Sequence, residues 1–485
     1  MSIKNNEQNM KRKVVSGLFW KFGERITAQS ISLIVSILLA RMLEPSDYGA
    51  IALIMIFITL ANVFVSSGFG NALIQKKETD NLDFSSVFYI NIAVSLVIYA
   101  FLFLCAPVIA NFYDISVLSP ALRVLAIRIP IAAVNSIQQA YVSRNMLFKR
   151  FFWSTLFGTL ISGIIGVYMA YHGFGIWALV IQYLSNTCID TMVLWFTVKW
   201  RPIFKCSWKR ASKLISYGWK LLVSGLIDSG YSQLRSLVIG KIYTPSDLAF
   251  YNQGDKYPSL IVTNVNTSIS AVFFPAISKF QDEKNRVKQM TRRAIQISAY
   301  VMWPLMIGLA VIAEPVIRLV LTEKWLPCVP FLRIFCLSYG LYPIHTANLQ
   351  ALNAIGRSDL FLKLEIEKKL IGLIALFLTV KYGPFAIAIS FLITGIIGTF
   401  INSLPNKKLI RYSYKEQIAD LAPPLIISLL MAIIIYPISL AGLSDIITII
   451  LQIAMGGTSY FIVSKITNQK SLEYILNSLR KIKEV

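Results

Sequence analysis

Apolar runs close to twenty residues long recur from one end of this chain to the other. No other feature of the sequence constrains its fold as strongly. "FLFLCAPVIA", "IGLIALFLTV", "LIISLLMAIIIYPISL" and "IITIILQIAMGGTSYFIV" are examples. A bilayer crossing takes roughly 20 mostly apolar residues in helical form. Lipid offers no hydrogen-bond partners, and a helix satisfies its backbone within one segment. The spacing predicts an all-α polytopic membrane protein. Its spans fall near 14–40, 49–72, 84–110, 119–142, 151–171, 174–198, 214–240, 248–277, 294–317, 327–351, 359–380, 383–404, 420–440 and 444–464, about fourteen in all. The first run carries Lys21, Glu24 and Arg25 and no small-residue cleavage site closes it, so it reads as a retained helix and not a signal peptide.

Composition agrees. Of 485 residues 56% are hydrophobic and 15% charged, where soluble domains average about 25% charged. The five cysteines (Cys105, Cys188, Cys206, Cys328 and Cys336) are odd in number and form no close pair, which signals neither a disulfide framework nor a zinc site. With only His172 and His345 present, a histidine-rich metal site is excluded.

The net charge of +23 is distributed by topology. Alternate connections hold Lys76/Lys77, Arg144/Lys149/Arg150, "KWRPIFKCSWKRASK", "KFQDEKNRVKQMTRR", Arg357/Lys363 and "NKKLIRYSYK". The other connections are short and hold little beyond Arg41, Lys241, Lys324 and Lys381. The positive-inside bias makes the first set cytoplasmic, together with Lys11-Arg12-Lys13 and the C-terminal "LRKIK". Both termini are then cytoplasmic. No basic stretch forms a domain of its own, so the charge does not point to nucleic acid.

Further charges fall inside the spans: Lys21, Glu24, Arg25, Arg123, Arg128, Asp190, Lys220, Asp228, Arg235, Asp255, Lys256, Arg333, Glu365, Glu367, Lys368 and Lys369. Each costs at least about 2.5–3.5 kcal/mol at mid-bilayer. They must snorkel, pair, or line a wet cavity. The last alternative yields two candidate sets. Arg25, Arg123, Arg128, Lys220, Arg235, Lys256 and Arg333 are candidates for an anionic substrate. Glu24, Asp228, Asp255 and Glu365 are candidates for ion coupling. Trp20, Tyr217, Trp219, Tyr231 and Tyr251 offer ring faces for sugars, with packing as the simpler use of each.

The chain also repeats itself. Trp20-Lys21 matches Trp219-Lys220, and Pro45-Ser46-Asp47 matches Pro245-Ser246-Asp247. "CAPVIANFY" matches "AEPVIRLVL", "ALRVLAIRIP" matches "FLRIFCLSYG", and "AYHGFGIWAL" matches "TVKYGPFAIA" more weakly, all in the same order. The expected organisation is a cytoplasmic tail (1–13), a six-helix lobe (14–198), a linker (199–213), a second six-helix lobe (214–404), two extra helices with their preceding loop (405–465) and an amphipathic tail (466–485). Six is even, so the lobes are parallel repeats, with a central cavity expected between them. The Pro-Ser-Asp turn reads as helix-start chemistry. Leu472, Ile475, Leu476 and Leu479 share a helical face that suits the cytoplasmic leaflet.

No G-x-x-x-x-G-K-[ST], G-x-S-x-G or H-E-x-x-H motif occurs, and the external connections are short, so an enzyme is not expected. "RMLEPSDYGAIAL", "SSGFGNALIQKKE" and "FYNQGDKYPSL" resemble the bacterial polysaccharide transporter (O-unit flippase) family of the multidrug/oligosaccharidyl-lipid/polysaccharide exporter superfamily. The resemblance implies a two-lobed carrier of the bacterial inner membrane. It would flip undecaprenyl-diphosphate-linked oligosaccharides to the outer leaflet by alternating access, for surface polysaccharide biosynthesis. It would need no cofactor, with H+ or Na+ as the coupling ion. Its implied partners are the lipid-linked oligosaccharide, membrane lipids, and the polymerase and glycosyltransferases of the same assembly line. A drug or cation antiporter of the same superfamily and a non-transporting membrane scaffold are the alternatives. The mostly basic set of span charges favours the flippase.

Overall fold

The structure, a computed structural model, describes residues 2–66, 70, 73–74 and 79–483. Lys76, Lys77 and most of "SSGFGNALIQKKE" lie outside the described residues, as do the side chains of Lys11, Arg12, Lys13, Tyr217 and Leu479.

By packing, the chain divides into two compact units, residues 1–249 and 250–485. The first holds α1 (Ser2–Met42), α2 (Pro45–Ser66), α3 (Asn81–Tyr113), α4 (Leu118–Leu125), α5 (Arg128–Arg144), α6 (Lys149–Tyr171), α7 (Ile176–Thr197) and α8 (Trp208–Ile242). The second begins in the first turns of α9 (Pro245–Ser278). It continues through α10 (Lys284–Val311), α11 (Ala313–Leu321), α12 (Val329–Gly340), α13 (Tyr342–Ala354), α14 (Ser358–Thr379), α15 (Pro384–Leu409), α16 (Tyr414–Ile435), α17 (Asp445–Ile466) and α18 (Lys470–Lys483).

Each expected span coincides with a helix or with a broken pair: α4/α5, α10/α11 and α12/α13. Among the described residues, ten helical segments are long and apolar enough to cross a membrane. Among the described residues four span positions fall short of that composition: α7, α8, α9 and α14. These helices carry Asp190, Asp228 with Arg235, Asp255 with Lys256, and the Glu365–Lys369 cluster. The charges that make them poor lipid-facing segments are the ones whose place inside a span needs explaining.

The bounds differ from expectation in three places. α1 runs back to Ser2, because no proline interrupts residues 1–13. The linker is non-helical only to Ser207, where α8 begins. The amphipathic tail becomes helical at Lys470, and its Leu472 is buried in the second unit's core. Packing also places α8, the first helix of the second sequence repeat, with the first unit. A glycine allows this: a Cβ on Gly240 would lie 2.4 Å from Leu53 Cδ2, so the Leu53 side chain of α2 packs directly on the α8 backbone.

The two sequence halves carry the same local devices at matched positions. Before α2, the N–H of Glu44 donates to the Asp47 carboxylate (3.3 Å). Before α9, the Thr244 N–H and the Asp247 carboxylate are 3.1 Å apart, and the Asp247 N–H donates back to Thr244 Oγ1 at 3.1 Å. In both, the aspartate at the third helical position accepts from the N–H of the residue before the proline, and at Thr244 the bond is reciprocal, which completes a capping box. Gly175 (φ 52°) and Gly383 (φ 101°) cap α7 and α15 in conformations that suit only glycine. In both halves the segment that follows the matched prolines, Pro107 and Pro315, contains a broken helix, α4/α5 and α12/α13.

The first unit's core gathers Phe84, Phe88, Ile137, Leu194 and Trp200. The second unit's main core gathers Ile295, Trp303, Tyr412 and Tyr460 and holds α16 and α17 against α10, with the Tyr460 hydroxyl donating to the Tyr300 carbonyl (2.8 Å).

Candidate functional site

In the first unit, polar side chains from four helices converge. Asn135 on α5 donates to Asp190 on α7 at 2.6 Å. Ser154 on α6, whose hydroxyl donates to the Phe151 carbonyl (3.2 Å), and Glu24 on α1 lie close enough to act on Asp190 electrostatically. Glu24 accepts from Thr155 (3.2 Å) and Lys21 (2.7 Å). One turn and more along, Arg128 donates to Thr187 Oγ1 at 2.6 Å. Close packing makes the convergence possible: a Cβ on Gly158 would lie 3.4 Å from Asp190 Cβ, and one on Gly166 2.8 Å from Gln182 Cβ. Among the described residues no Lys or Arg lies within ion-pair distance of Asp190. Buried charges are paired, bind a cation, or are neutralised by a proton. An amide, a hydroxyl and a second carboxylate nearby can hold either a proton or a small cation.

The second unit has a counterpart. His345 on α13 lies 210 positions after Asn135, and its Nδ1 is 2.9 Å from the side-chain amide of Asn402 on α15. Lys368 donates to Glu365 at 2.5 Å on α14, and Gly398 leaves room for both His345 and Lys368. In each half, therefore, the helix after the break is tied to the sixth helix by a polar pair. A separate buried network secures the extra helices. Asp420 on α16 accepts from Arg292 (2.7 Å), Gln296 (2.8 Å) and Tyr412 (2.8 Å), while Asn348 bonds Gln417 (2.7 Å) and Asn406 (2.6 Å).

The structure sorts the candidates from sequence. Glu24 belongs to the first cluster, and Glu365 to the second as an ion pair. Asp255 accepts from the Tyr339 hydroxyl at 2.5 Å. Asp228 is exposed on α8. Among the basic set, Arg25 and Lys220 are exposed, Lys256 is half-buried, and Arg235 is buried with its guanidinium over the Tyr231 ring. Arg128 is committed to Thr187. Arg123 donates to the Phe103 carbonyl (3.1 Å) and Arg333 to the Ala310 carbonyl (3.2 Å). Pro107 has no N–H for the Phe103 carbonyl, and Ala310 lies in the last turn of α10, so both arginines satisfy carbonyls that their helices leave open. Both therefore have a structural task, which supplies a simpler use for each than a substrate contact. Of the aromatic candidates, Tyr251 is buried edge-on against Phe331 and Phe335, and Trp219 is exposed.

Sequence reasoning placed Asp190 in a span but gave it no role, and overlooked Asn135, Thr187, His345 and Asn402. Their partners lie 55–59 residues away, beyond any local spacing rule.

This all-helical architecture with charge inside its spans is a known carrier fold. It matches the lipid II flippase MurJ in an inward closed conformation (19% identity, TM-score 0.74, covering 93% of this chain and 98% of that one). It also matches an inward-facing multidrug resistance MATE family transporter of the MOP superfamily (14% identity, TM-score 0.64, covering 80% and 98%). The chain belongs to the family described as polysaccharide biosynthesis protein, which matches residues 38–330. Similar curated proteins are the teichuronic acid biosynthesis protein TuaB of Bacillus subtilis (24% identity, 89% of this chain and 90% of that one) and the lipopolysaccharide biosynthesis protein WzxC of Escherichia coli (21%, 89% and 89%). The succinoglycan biosynthesis transport protein ExoT of Rhizobium meliloti is similar over nearly the full length (23%, 97% and 96%).

Proposed function

We propose that this protein flips undecaprenyl-diphosphate-linked oligosaccharides from the cytoplasmic to the outer leaflet of a bacterial inner membrane, by ion-coupled alternating access, with both termini cytoplasmic. The family and its relatives' roles in surface polysaccharide assembly support the substrate class. Asp190 carries the coupling: an intramembrane carboxylate held by Asn135, flanked by Ser154 and Glu24, and without a cationic partner among the described residues. A proton or Na+ at Asp190 neutralises it when the first unit rearranges. The diphosphate needs cationic donors: Arg25, Lys220, Arg235 and Lys256 are the candidates, the arginines suited to it because a guanidinium fork bonds two phosphate oxygens at once.

The test is flipping of a lipid-linked oligosaccharide in proteoliposomes under imposed proton and sodium gradients. Asp190→Asn is expected to leave the protein folded and to abolish the gradient dependence. Arg235→Lys is expected to retain part of the rate and Arg235→Ala little of it. Unchanged gradient dependence in Asp190→Asn would remove the coupling role. Efflux of cationic drugs without lipid flipping would favour the antiporter reading.

A further inference from the structure

The segment between α7 and α8 is fastened along one edge and bare along the other. The Ile203 N–H donates to Ser85 Oγ (2.9 Å) and the Ser207 N–H to Ser86 Oγ (2.8 Å), both serines being fully buried at the start of α3. Arg201 donates to the carbonyls of Val198 (2.6 Å), Trp200 (2.7 Å) and Trp195. Trp200 is buried among Phe84, Phe88 and Tyr141. Arg210 pairs with Asp80 at 2.5 Å. The opposite edge has no such cover. Phe204 is 98% exposed and Trp208 68%, and Phe196 at the end of α7 is 82% exposed. Lys199, Lys205 and Cys206 are exposed beside them.

Two large aromatics turned outward from a segment this well fastened need an apolar surface to cover them. The segment joins two membrane helices, so it sits where hydrocarbon meets water. Tryptophan concentrates at that level, a phenylalanine beside it gains by burial in the acyl boundary, and exposed lysines there are drawn to anionic headgroups. We infer that residues 199–208 form a leaflet anchor, in which Phe204 and Trp208 enter the acyl boundary of an anionic membrane surface and Lys199 and Lys205 pair with its lipid phosphates. The anchor fixes the depth of the linker through which any movement of α8 passes. It rests on the reading of α7 and α8 as spans and is independent of what the carrier moves.

The exposed thiol of Cys206 supplies the probe position. In a chain with Cys105 and Cys188 replaced by Ala, Cys328 and Cys336 are buried, and an environment-sensitive fluorophore goes to Cys206. The labelled full-length protein is reconstituted into phosphatidylcholine vesicles with and without phosphatidylglycerol. The emission is expected to shift to the blue in the anionic vesicles and to be quenched by lipids spin-labelled near the headgroup. Lys199→Glu with Lys205→Glu should remove the dependence on phosphatidylglycerol, and Phe204→Ser with Trp208→Ser should remove the shift. Both pairs are exposed, so folding is retained. An emission that is identical in detergent and in both vesicle types, or that shifts only when soluble protein is added, overturns the inference. A shift equally large in neutral vesicles overturns the assignment of anionic lipid.

Discussion

A Cβ on Gly49 would lie 1.8 Å from the Pro245 carbonyl oxygen and 2.8 Å from Pro245 Cα. The obstruction is backbone and cannot rotate away. Gly49→Ala must therefore push α2 from the start of α9, and overpacking of this kind costs about 1–3 kcal/mol. Gly230 on α8 has nothing within 4 Å of the same construction. Gly230→Ala is expected to be neutral or to stabilise by up to about 1 kcal/mol, as Ala for Gly does in a helix interior. Melting temperatures of the two purified variants in detergent should move in opposite directions or differ by several degrees. Gly49 also marks a limit of sequence reading. The repeated Pro-Ser-Asp turn was visible as two copies, but nothing in their spelling says that the copies touch. The same holds for Asp190. Its chemistry was legible as an unexplained charge, while its site required the folded positions of Asn135 and Ser154.

Prolines and arginines are coupled across elements. Pro107 interrupts α3 and leaves the Phe103 carbonyl without its helical donor, and Arg123 from α4 supplies one. Pro107→Ala returns an N–H to that carbonyl, so the need for Arg123 should fall. Interhelical hydrogen bonds in membranes average about 0.6 kcal/mol and reach about 1.7. In a double-mutant cycle, Arg123→Gln should destabilise the native background by about 1 kcal/mol more than the Pro107→Ala background. Equal costs in the two backgrounds would separate Arg123 from the proline. Arg333 serves the Ala310 carbonyl in the second half, and the sequence had already aligned "ALRVL" with "FLRIF" and "APVIAN" with "EPVIRL". What the alignment could not supply is direction. An arginine in a span reads first as a substrate ligand, and only the carbonyl 3.1 Å away shows that it serves the helix. The span positions themselves were legible, because twenty-residue apolar runs have few other uses. The breaks within α4/α5, α10/α11 and α12/α13 were not, since a one- or two-residue kink leaves hydropathy unchanged.

For the whole molecule, three contacts within the first unit restrict how the chain threads the membrane. The start of α2 touches the start of α9 at Gly49 and Pro245. The end of α3 meets the end of α8, where Lys241 reaches the Asp114 carboxylate at 3.2 Å. The start of α3 meets the start of α8, where Arg210 pairs with Asp80 at 2.5 Å. Each contact demands that its two partners lie on one side of the bilayer, so an even number of crossings must separate them. The helix order provides that number when α4 and α5 together count as one crossing and every other helix as one: six between Gly49 and Pro245, and four between each of the other pairs. Basic loop content gives the same alternation of sides and adds the expected orientation, the basic connections facing the cytoplasm. The grouping of α8 with the first unit was not legible, because glycine-sized gaps and not hydropathy decide it. Reporter fusions after Pro45, Asp114, Pro245 and Lys324 are therefore expected to report the outside, and fusions after Lys77, Arg210, Lys288 and Lys408 the cytoplasm. The decisive pair is Pro45 and Pro245. Opposite readings there would mean that one of the six intervening crossings is not made, and would contradict both the contact at Gly49 and the expected parallel arrangement of the two halves.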